Sequence, residues 1–306
     1  MFTLAHLSDP HLGQMPLPSP GQLLGKRVFG YLSWTIRRRP IHDGPVLSAL
    51  VADLKQTQPD HITVTGDITN ISLPAEFARA GAWLRGLGHP ADVTVVPGNH
   101  DAYVSVPWEQ SLAHWAEFMS GNRGNGSDEA PTGADDFPFV RERQGVALIG
   151  VSTALPMPIR SAAGRLGERQ IEILARRLRE LGQRSLFRVV LIHHPPIADG
   201  ISPRKRLLDS EAFAAVIAEH GAELVLHGHT HRSGLARLKS PRGHVPVIGV
   251  PSASARPHKG KGHSRYHLYR IGRNGRGWDI DIEVRGVTER LDSFVTEARF
   301  SLAVPG

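Results

Sequence analysis

A layered α/β fold is predicted for this chain of 306 residues, on three observations. Short apolar runs alternate with segments of helical period as far as residue 231. Five of those runs end directly in a motif rich in Asp, Asn and His. After residue 265 the pattern changes to two strand-like runs around a glycine-rich turn.

In order, Leu4–Ser8 is the first strand and ends in Asp9-Pro10-His11. Leu12–Gly44 is an insert. Within Lys26–Arg39, Phe29, Leu32 and Ile36 share one helical face, with Val28, Tyr31 and Thr35 beside it, and Pro40 stops the pattern. Pro45–Gln56 repeats apolar residues at i, i+3 and i+4 and predicts a helix. Ile62–Thr65 is a strand ending in Gly66-Asp67. Pro74–Leu87 is a helix opened by proline, with glycines at its close. Val93–Val96 precedes Gly98-Asn99-His100-Asp101. Gly121–Asp136 reads as a polar surface loop, and Val146–Val151 as a strand. Gly167–Leu181 carries Ile171, Leu174, Leu178 and Leu181 on one helical face. Val189–Ile192 leads into His193-His194-Pro195-Pro196. Ser210–His220, capped by Asp209 or Ser210 and stopped at Gly221, precedes the strand Leu224–Leu226 and then Gly228-His229-Thr230-His231. Val245–Val250 adds a strand. Arg265–Ile271 and Gly277–Arg285 flank a hairpin turn.

In an open α/β sheet, ligands bind beyond the carboxyl ends of the strands. Five strand ends would therefore bring Asp9, His11, Asp67, Asn99, His193, His229 and His231 to one crevice. Mixed nitrogen and oxygen donors suit manganese, iron, zinc or nickel. Asp67 would bridge two cations, each oxygen facing a different ion. Two ions about 3.5–4 Å apart stabilise the attacking and leaving oxygens of an in-line displacement, and lower the pKa of bound water to roughly 7. His229 and His231, two apart, face the same way on an extended segment. Asn99 adds an oxygen without adding charge to a site that must admit phosphate. Any one motif alone would more often be an ordinary turn; the set, in this order, reads as a metal site.

From Asp9 to His231 the five motifs resemble, in order, those of the calcineurin-like metallophosphoesterases. The fold implied is a sandwich of two mixed β-sheets flanked by helices, one domain over 1–306, with the 12–44 insert and the 265–285 hairpin as additions. The resemblance implies two divalent or mixed-valence metal ions (manganese, iron, zinc or similar). Asp9, His11, Asp67 and His231 would hold one; Asp67, Asn99, His193 and His229 the other. His194 is left without a family role and reads as structural. His100 resembles the histidine that assists the leaving group and Asp101 the carboxylate that orients it; alternatively, His100 orders its loop through Asp101. The implied activity is hydrolysis of a phosphodiester or phosphoanhydride by metal-bound hydroxide. Cyclic nucleotides and glycerophosphodiesters are candidate substrates. A nucleotide-linked lipid of the UDP-2,3-diacylglucosamine type is an alternative, although His100 stands where that group commonly carries arginine. A non-catalytic, metal-stabilised scaffold is the other alternative.

Composition sets outer limits. Hydrophobic content of 40% and charged content of 21% are ordinary for a globular protein. Without cysteine there are no disulfides, thiolate metal sites or cysteine nucleophiles. Met1 leads straight into the first strand, leaving no room for a signal peptide, and no apolar stretch approaches the roughly 18 residues of a membrane span. A cytoplasmic location is expected. Net charge of +7 attracts anionic phosphoesters, but no motif of a dedicated nucleic-acid module is present. Lys26–Arg39, apolar with basic ends, reads either as a peripheral membrane contact or as a lid packed on the protein. Arg256–Arg265 is a basic loop, either solvated or reaching phosphate.

Overall fold

The computed structural model describes residues 1–13, 15–122, 131–257, 262–275 and 277–305. Its strands are β1 (Phe2–Leu7), β2 (His61–Val64), β3 (Val93–Val95), β4 (Phe139–Arg143), β5 (Val146–Gly150), β6 (Phe187–Leu191), β7 (Leu224–His227), β8 (Gly234–Ser240), β9 (Gly243–Gly249), β10 (Arg265–Asn274), β11 (Gly277–Val287) and β12 (Phe294–Pro305). The helices are α1 (Lys26–Ser33), α2 (Gly44–Thr57), α3 (Pro74–Leu87), α4 (Glu168–Gln183) and α5 (Ser210–His220). They form two mixed sheets of six strands, ordered β12-β11-β10-β1-β2-β3 and β4-β5-β6-β7-β9-β8, with helices outside.

The second sheet shows why the layers form. Along β5, β6 and β7, Val146, Leu148, Phe187, Val189, Leu191, Leu224 and Leu226 point inward to the core shared by the two sheets. The alternate residues Ala147, Ile149, Val190 and Val225 point outward and pack with Leu174 and Leu178 of α4 and Phe213 and Ile217 of α5. Strand periodicity thus buries both faces. Asp209 stands at the N-terminus of α5, but its carboxylate accepts from the amides of Leu166 and Gly167, tying together the starts of α4 and α5.

Within each sheet the strands that precede the motifs run parallel: β1, β2 and β3 in one, β6 and β7 in the other. Their carboxyl ends open onto the same edge of the sandwich. A bridge between Ser8 and Ser252 joins the sheets there, and Ser252 Oγ donates to the Asp9 carbonyl at 2.7 Å.

Three strands escaped the sequence reading: β4, the edge strand β8, and β12, which pairs along the whole of β11. Most of β8 and β12 is exposed or half-buried, so neither carries an apolar run. Residues 123–130 of the predicted polar loop, and His258, Lys259 and Lys261 of the basic loop, lie outside the described residues. In the described part of that loop Arg256 pairs with Asp43, while His263 and Arg265 pair with Glu297, so these residues face protein carboxylates.

The insert differs from one expectation. The apolar side of α1 was given packing against the protein as one reading. Instead Phe29 and Leu32, and Ile36 of the helical turn Trp34–Arg38 that follows α1, are exposed, because the basic side of the helix takes the backbone acceptors on the body. Lys26 Nζ donates to the Met157 carbonyl, and Arg27 to the carbonyls of Ile71 and Ser72. Among the described residues no helix is long and apolar enough to cross a membrane.

Candidate metal centre

At each strand end the backbone turns sharply. Asp9, His11, Asp67, His229 and His231 all have positive φ, between 37° and 66°. Left-handed backbone at a non-glycine residue costs of order 1–3 kcal/mol and persists only where the surroundings over-determine it. Here it swings five polar side chains off the ends of three strands, β1, β2 and β7, into one space. Gly66 and Gly98 permit the approach of two of these turns: Gly66 has φ +86°, and a Cβ there would meet the Gly98 nitrogen at 2.5 Å.

The seven side chains converge. His231 Nε2 lies 3.1 Å from Asp9 Oδ1, and Asp9 Oδ2 accepts from the His229 amide at 3.0 Å. His193 Nε2 lies 3.4 Å from Asp67 Oδ2 and 3.2 Å from Asn99 Oδ1. His11 Nε2 lies 3.8 Å from the same Asp67 Oδ2. The ligand atoms of Asp9, His11 and His231 fall within 4.8 Å of one another, as do those of Asp9, Asp67 and His193. Asp67 therefore faces both histidines with one oxygen. Its other oxygen, expected to face a second ion, accepts from the His100 amide at 2.7 Å.

The donor set fits cations. His193 Nδ1 donates to the Thr65 carbonyl at 2.6 Å and His11 Nδ1 lies 3.3 Å from the Thr69 carbonyl. Each bond directs Nε2 at the cluster, where it offers a lone pair in the neutral ring, the usual arrangement around a metal-binding imidazole. His229 Nε2 is buried without a hydrogen-bond partner, and Asp9 Oδ1, buried too, makes no hydrogen bond and has His231 Nε2 beside it at 3.1 Å. A buried orphan such as His229 Nε2 costs about 1–3 kcal/mol, which a coordinated cation would offset.

Electrostatics point the same way. Burial, then neighbouring imidazoles, hold His11 and His229 well below the ordinary histidine value. Burial also opposes charge on His193, but Asp67 beside it pulls that imidazole up to about 9. Burial pushes the Asp67 carboxyl up, yet His193, His100 and His11 together hold it well below the usual range.

His194 is buried with both ring nitrogens engaged, Nδ1 with Thr153 Oγ1 at 2.7 Å and Nε2 with the Ala162 carbonyl at 3.1 Å. Burial, then His193, hold it down at about 3, so it is a neutral hydrogen-bonding residue.

Asp101 does not orient His100. Its carboxylate accepts from the amides of Asp67, Ile68, Thr69 and Gly98 and from Thr69 Oγ1, at 2.8–3.0 Å, fixing the two metal-site loops against each other. Burial and the nearby Asp67 push its carboxyl up to about 7, against those donors. The His100 ring is held instead by the Asn70 carbonyl, 2.6 Å from Nδ1, and by Arg38 of the insert, whose Nη1 is 3.1 and 3.2 Å from the two ring nitrogens. Burial, then Arg38, hold His100 down at about 4.

Arg38 comes from the Lys26–Arg39 segment, whose arginines the lid reading sets against a phosphate group. One residue beside the site was missed: His42, whose ring centroid lies 4.4 Å from that of His11 and 5.7 Å from that of His231, anchored through Nδ1 to Ser254 Oγ at 2.8 Å. It belongs to no motif; the only signal was that the insert starts next to His11. A cleft of about 550 Å³ adjoins His229 and His231, lined among others by Ile197, Ile201, Lys205 and Arg232.

A sandwich of two sheets with a cluster of this kind at the strand ends defines a metal-dependent phosphoester hydrolase. The chain belongs to the calcineurin-like phosphoesterase family, whose sequence profile matches residues 2–233. It is 29% identical, over 69% of its length and 71% of the relative's, to a probable cyclic nucleotide phosphodiesterase of Synechococcus sp.. In fold it is similar to a dimetal phosphatase of Danio rerio, with a TM-score of 0.60 and 13% identity over 96% of this chain and 98% of that one. A purple acid phosphatase of yellow lupin gives a TM-score of 0.60 at 10% identity, over 99% of this chain and 53% of that one.

Proposed function

We propose that the protein is a binuclear phosphodiesterase in which Asp9, His11, Asp67 and His231 hold one cation and Asp67, Asn99, His193 and His229 hold a second. The observation that carries this reading is Asp67 Oδ2, a buried carboxylate oxygen facing both His11 Nε2 and His193 Nε2. Manganese, iron or zinc ions held there would supply Lewis acidity to the phosphoryl oxygens and an activated water at neutral pH. The chain's own residues do the rest. Carbonyls of Thr65 and Thr69 orient the imidazoles. Arg38 offers N–H donors beside His100, where charge on a phosphoryl oxygen or leaving group would develop. Lys205 and Arg232 make the adjoining cleft attractive to anions.

With Nδ1–H committed to Asn70, His100 acts on a leaving group through Nε2, which needs a second proton. Because His100 is neutral near pH 7 in the free protein, that proton would arrive with substrate or with solvent.

A cyclic nucleotide or glycerophosphodiester is the favoured substrate class, supported by the cleft and by the name of the Synechococcus relative. The test is a screen of protein reconstituted with manganese, iron or zinc against bis(p-nitrophenyl) phosphate, cyclic nucleotides, glycerophosphodiesters, UDP-diacylglucosamine and phosphomonoesters. Metal-dependent diester cleavage is expected, abolished in Asp67→Ala and Asn99→Ala. Cleavage of monoesters alone, or no cleavage with any metal, would overturn the proposal.

A further inference from the structure

Helix α1 is inverted relative to an ordinary surface helix. Its basic side grips the body: besides the bonds of Lys26 and Arg27, Lys26 Nζ lies 4.1 Å over the Tyr103 ring. Gly30 is buried so closely that a Cβ would meet Ile71 Cγ2 at 2.7 Å. Its apolar side faces away, with Phe29 56%, Leu32 48% and Val28 38% exposed, flanked by Leu24 at 78% and by Ile36 of the Trp34–Arg38 turn at 69%. The Lys26–Met157 bond draws the 155–160 segment alongside, adding Ile159 at 52%. Scattered exposed apolar residues are normal, but a contiguous group of this size marks a surface that something else covers.

Charge says what covers it. Residues 10–42 contain no Asp or Glu and carry Lys26, Arg27, Arg37, Arg38 and Arg39; residues 152–167 contain no Asp or Glu and carry Arg160 and Arg165. Arg37, Arg39 and Arg160 are exposed at the edge of the apolar group. Two copies docking through this face would bring like charges together, which disfavours self-association. An apolar helix face rimmed by arginines, built from two segments that carry no carboxylate of their own, is complementary to a planar anionic surface with an apolar interior. We propose that α1, the Trp34–Arg38 turn after it and the 155–160 segment dock the protein on the surface of an anionic lipid bilayer, with Phe29, Leu32 and Ile36 entering the acyl boundary and Arg37, Arg39 and Arg160 at the headgroups. Since Arg38, between two of those arginines, touches His100, docking sets the metal centre beside the lipid surface.

The test is co-sedimentation of the metal-loaded full chain with vesicles of phosphatidylcholine alone and of phosphatidylcholine mixed with phosphatidylglycerol. Binding is expected to the mixed vesicles and to weaken with salt. Both the Leu32→Glu/Ile36→Glu and the Arg37→Gln/Arg39→Gln double variants should reduce it by about tenfold or more. Hydrolysis of bis(p-nitrophenyl) phosphate by each variant reports an intact fold independently of lipid. Failure of the wild-type protein to bind the mixed vesicles would overturn the proposal. So would equal binding to both compositions, or double variants that bind like wild type. A concentration-dependent dimer in sedimentation velocity, abolished in Leu32→Glu/Ile36→Glu, would also overturn it, by assigning the face to a second copy.

Discussion

Arg38 Nη1 stands 3.1 Å from Nδ1 and 3.2 Å from Nε2 of His100, so the insert reaches a residue of the Gly98–Asp101 loop at the metal centre. The Arg38 Nε has no hydrogen-bond partner among the described residues, which leaves donor capacity for an anion. Replacing Arg38 by methionine is expected to lower kcat/KM for bis(p-nitrophenyl) phosphate by about tenfold to a hundredfold, as for other single donors to developing charge. Metal content should be unchanged, and lysine should recover part of the loss. Steady-state kinetics with metal analysis checks this; unchanged kcat/KM would remove Arg38 from the site.

Metal should also stabilise the fold. A bound cation would offset the strained strand ends and the orphaned His229 Nε2, so chelation should lower Tm by several degrees and reconstitution should restore it. His231→Ala is expected to retain about one ion per chain, and Asp67→Ala neither. Loading also has a sign in pH. His193, raised to about 9 by Asp67, must release its proton before Nε2 can bind a cation, so affinity falls as pH drops below that value. Calorimetry in buffers of different ionisation heat should register proton release on loading.

Asp101→Asn separates two readings of that residue. Its carboxylate accepts four backbone amides and one hydroxyl, whereas an amide presents one oxygen and directs two N–H groups at donors. The expected result is a loss of about 2–3 kcal/mol in stability and weaker metal binding. The pH dependence of kcat in the metal-saturated variant should stay close to wild type, since Asp101 does not touch His100. A changed pH profile with unchanged stability would return Asp101 to an orienting role.

A second carboxylate should govern acid stability. Glu283 of β11 is buried and accepts from Thr296 Oγ1 at 2.5 Å and Arg270 at 2.9 Å, with Arg285 and Arg299 at 3.4 and 3.3 Å. Burial opposes its charge, but these donors hold it down at about 2. Because the folded value lies below the unfolded one, its contribution is present above about pH 4.5 and is lost as pH falls toward 2. Glu283→Gln should therefore cost about 2 kcal/mol near neutrality and progressively less below pH 4. Denaturant titrations of both proteins at several pH values test it; a constant difference would refute it.

Much of this was legible in the sequence. Each of the five apolar runs is a strand, and the motif that follows each brings a side chain to the candidate metal centre, because strand period and glycine-assisted turns are local properties. Helices α2 to α5 and the β10–β11 turn followed from apolar spacing and from prolines and glycines at their ends for the same reason. β8 and β12 were not legible, since an exposed edge strand is held by hydrogen bonds to its neighbour rather than by its own apolar pattern. Other features depended on segments distant in sequence. Asp101 holds residues more than thirty positions away, and His42 packs its ring against His11 from the far end of the insert.

The sequence by itself determined which residues lie at the strand ends and what donors they carry. The tertiary structure alone decided which atoms meet: Asp67 turning one oxygen to both histidines, Arg38 rather than Asp101 against His100, and α1 with its apolar side outward. The physical reason is the range of the forces. Backbone turns and side-chain periodicity act over a few residues, whereas the partner of a buried carboxylate or guanidinium is set by how whole layers pack around it.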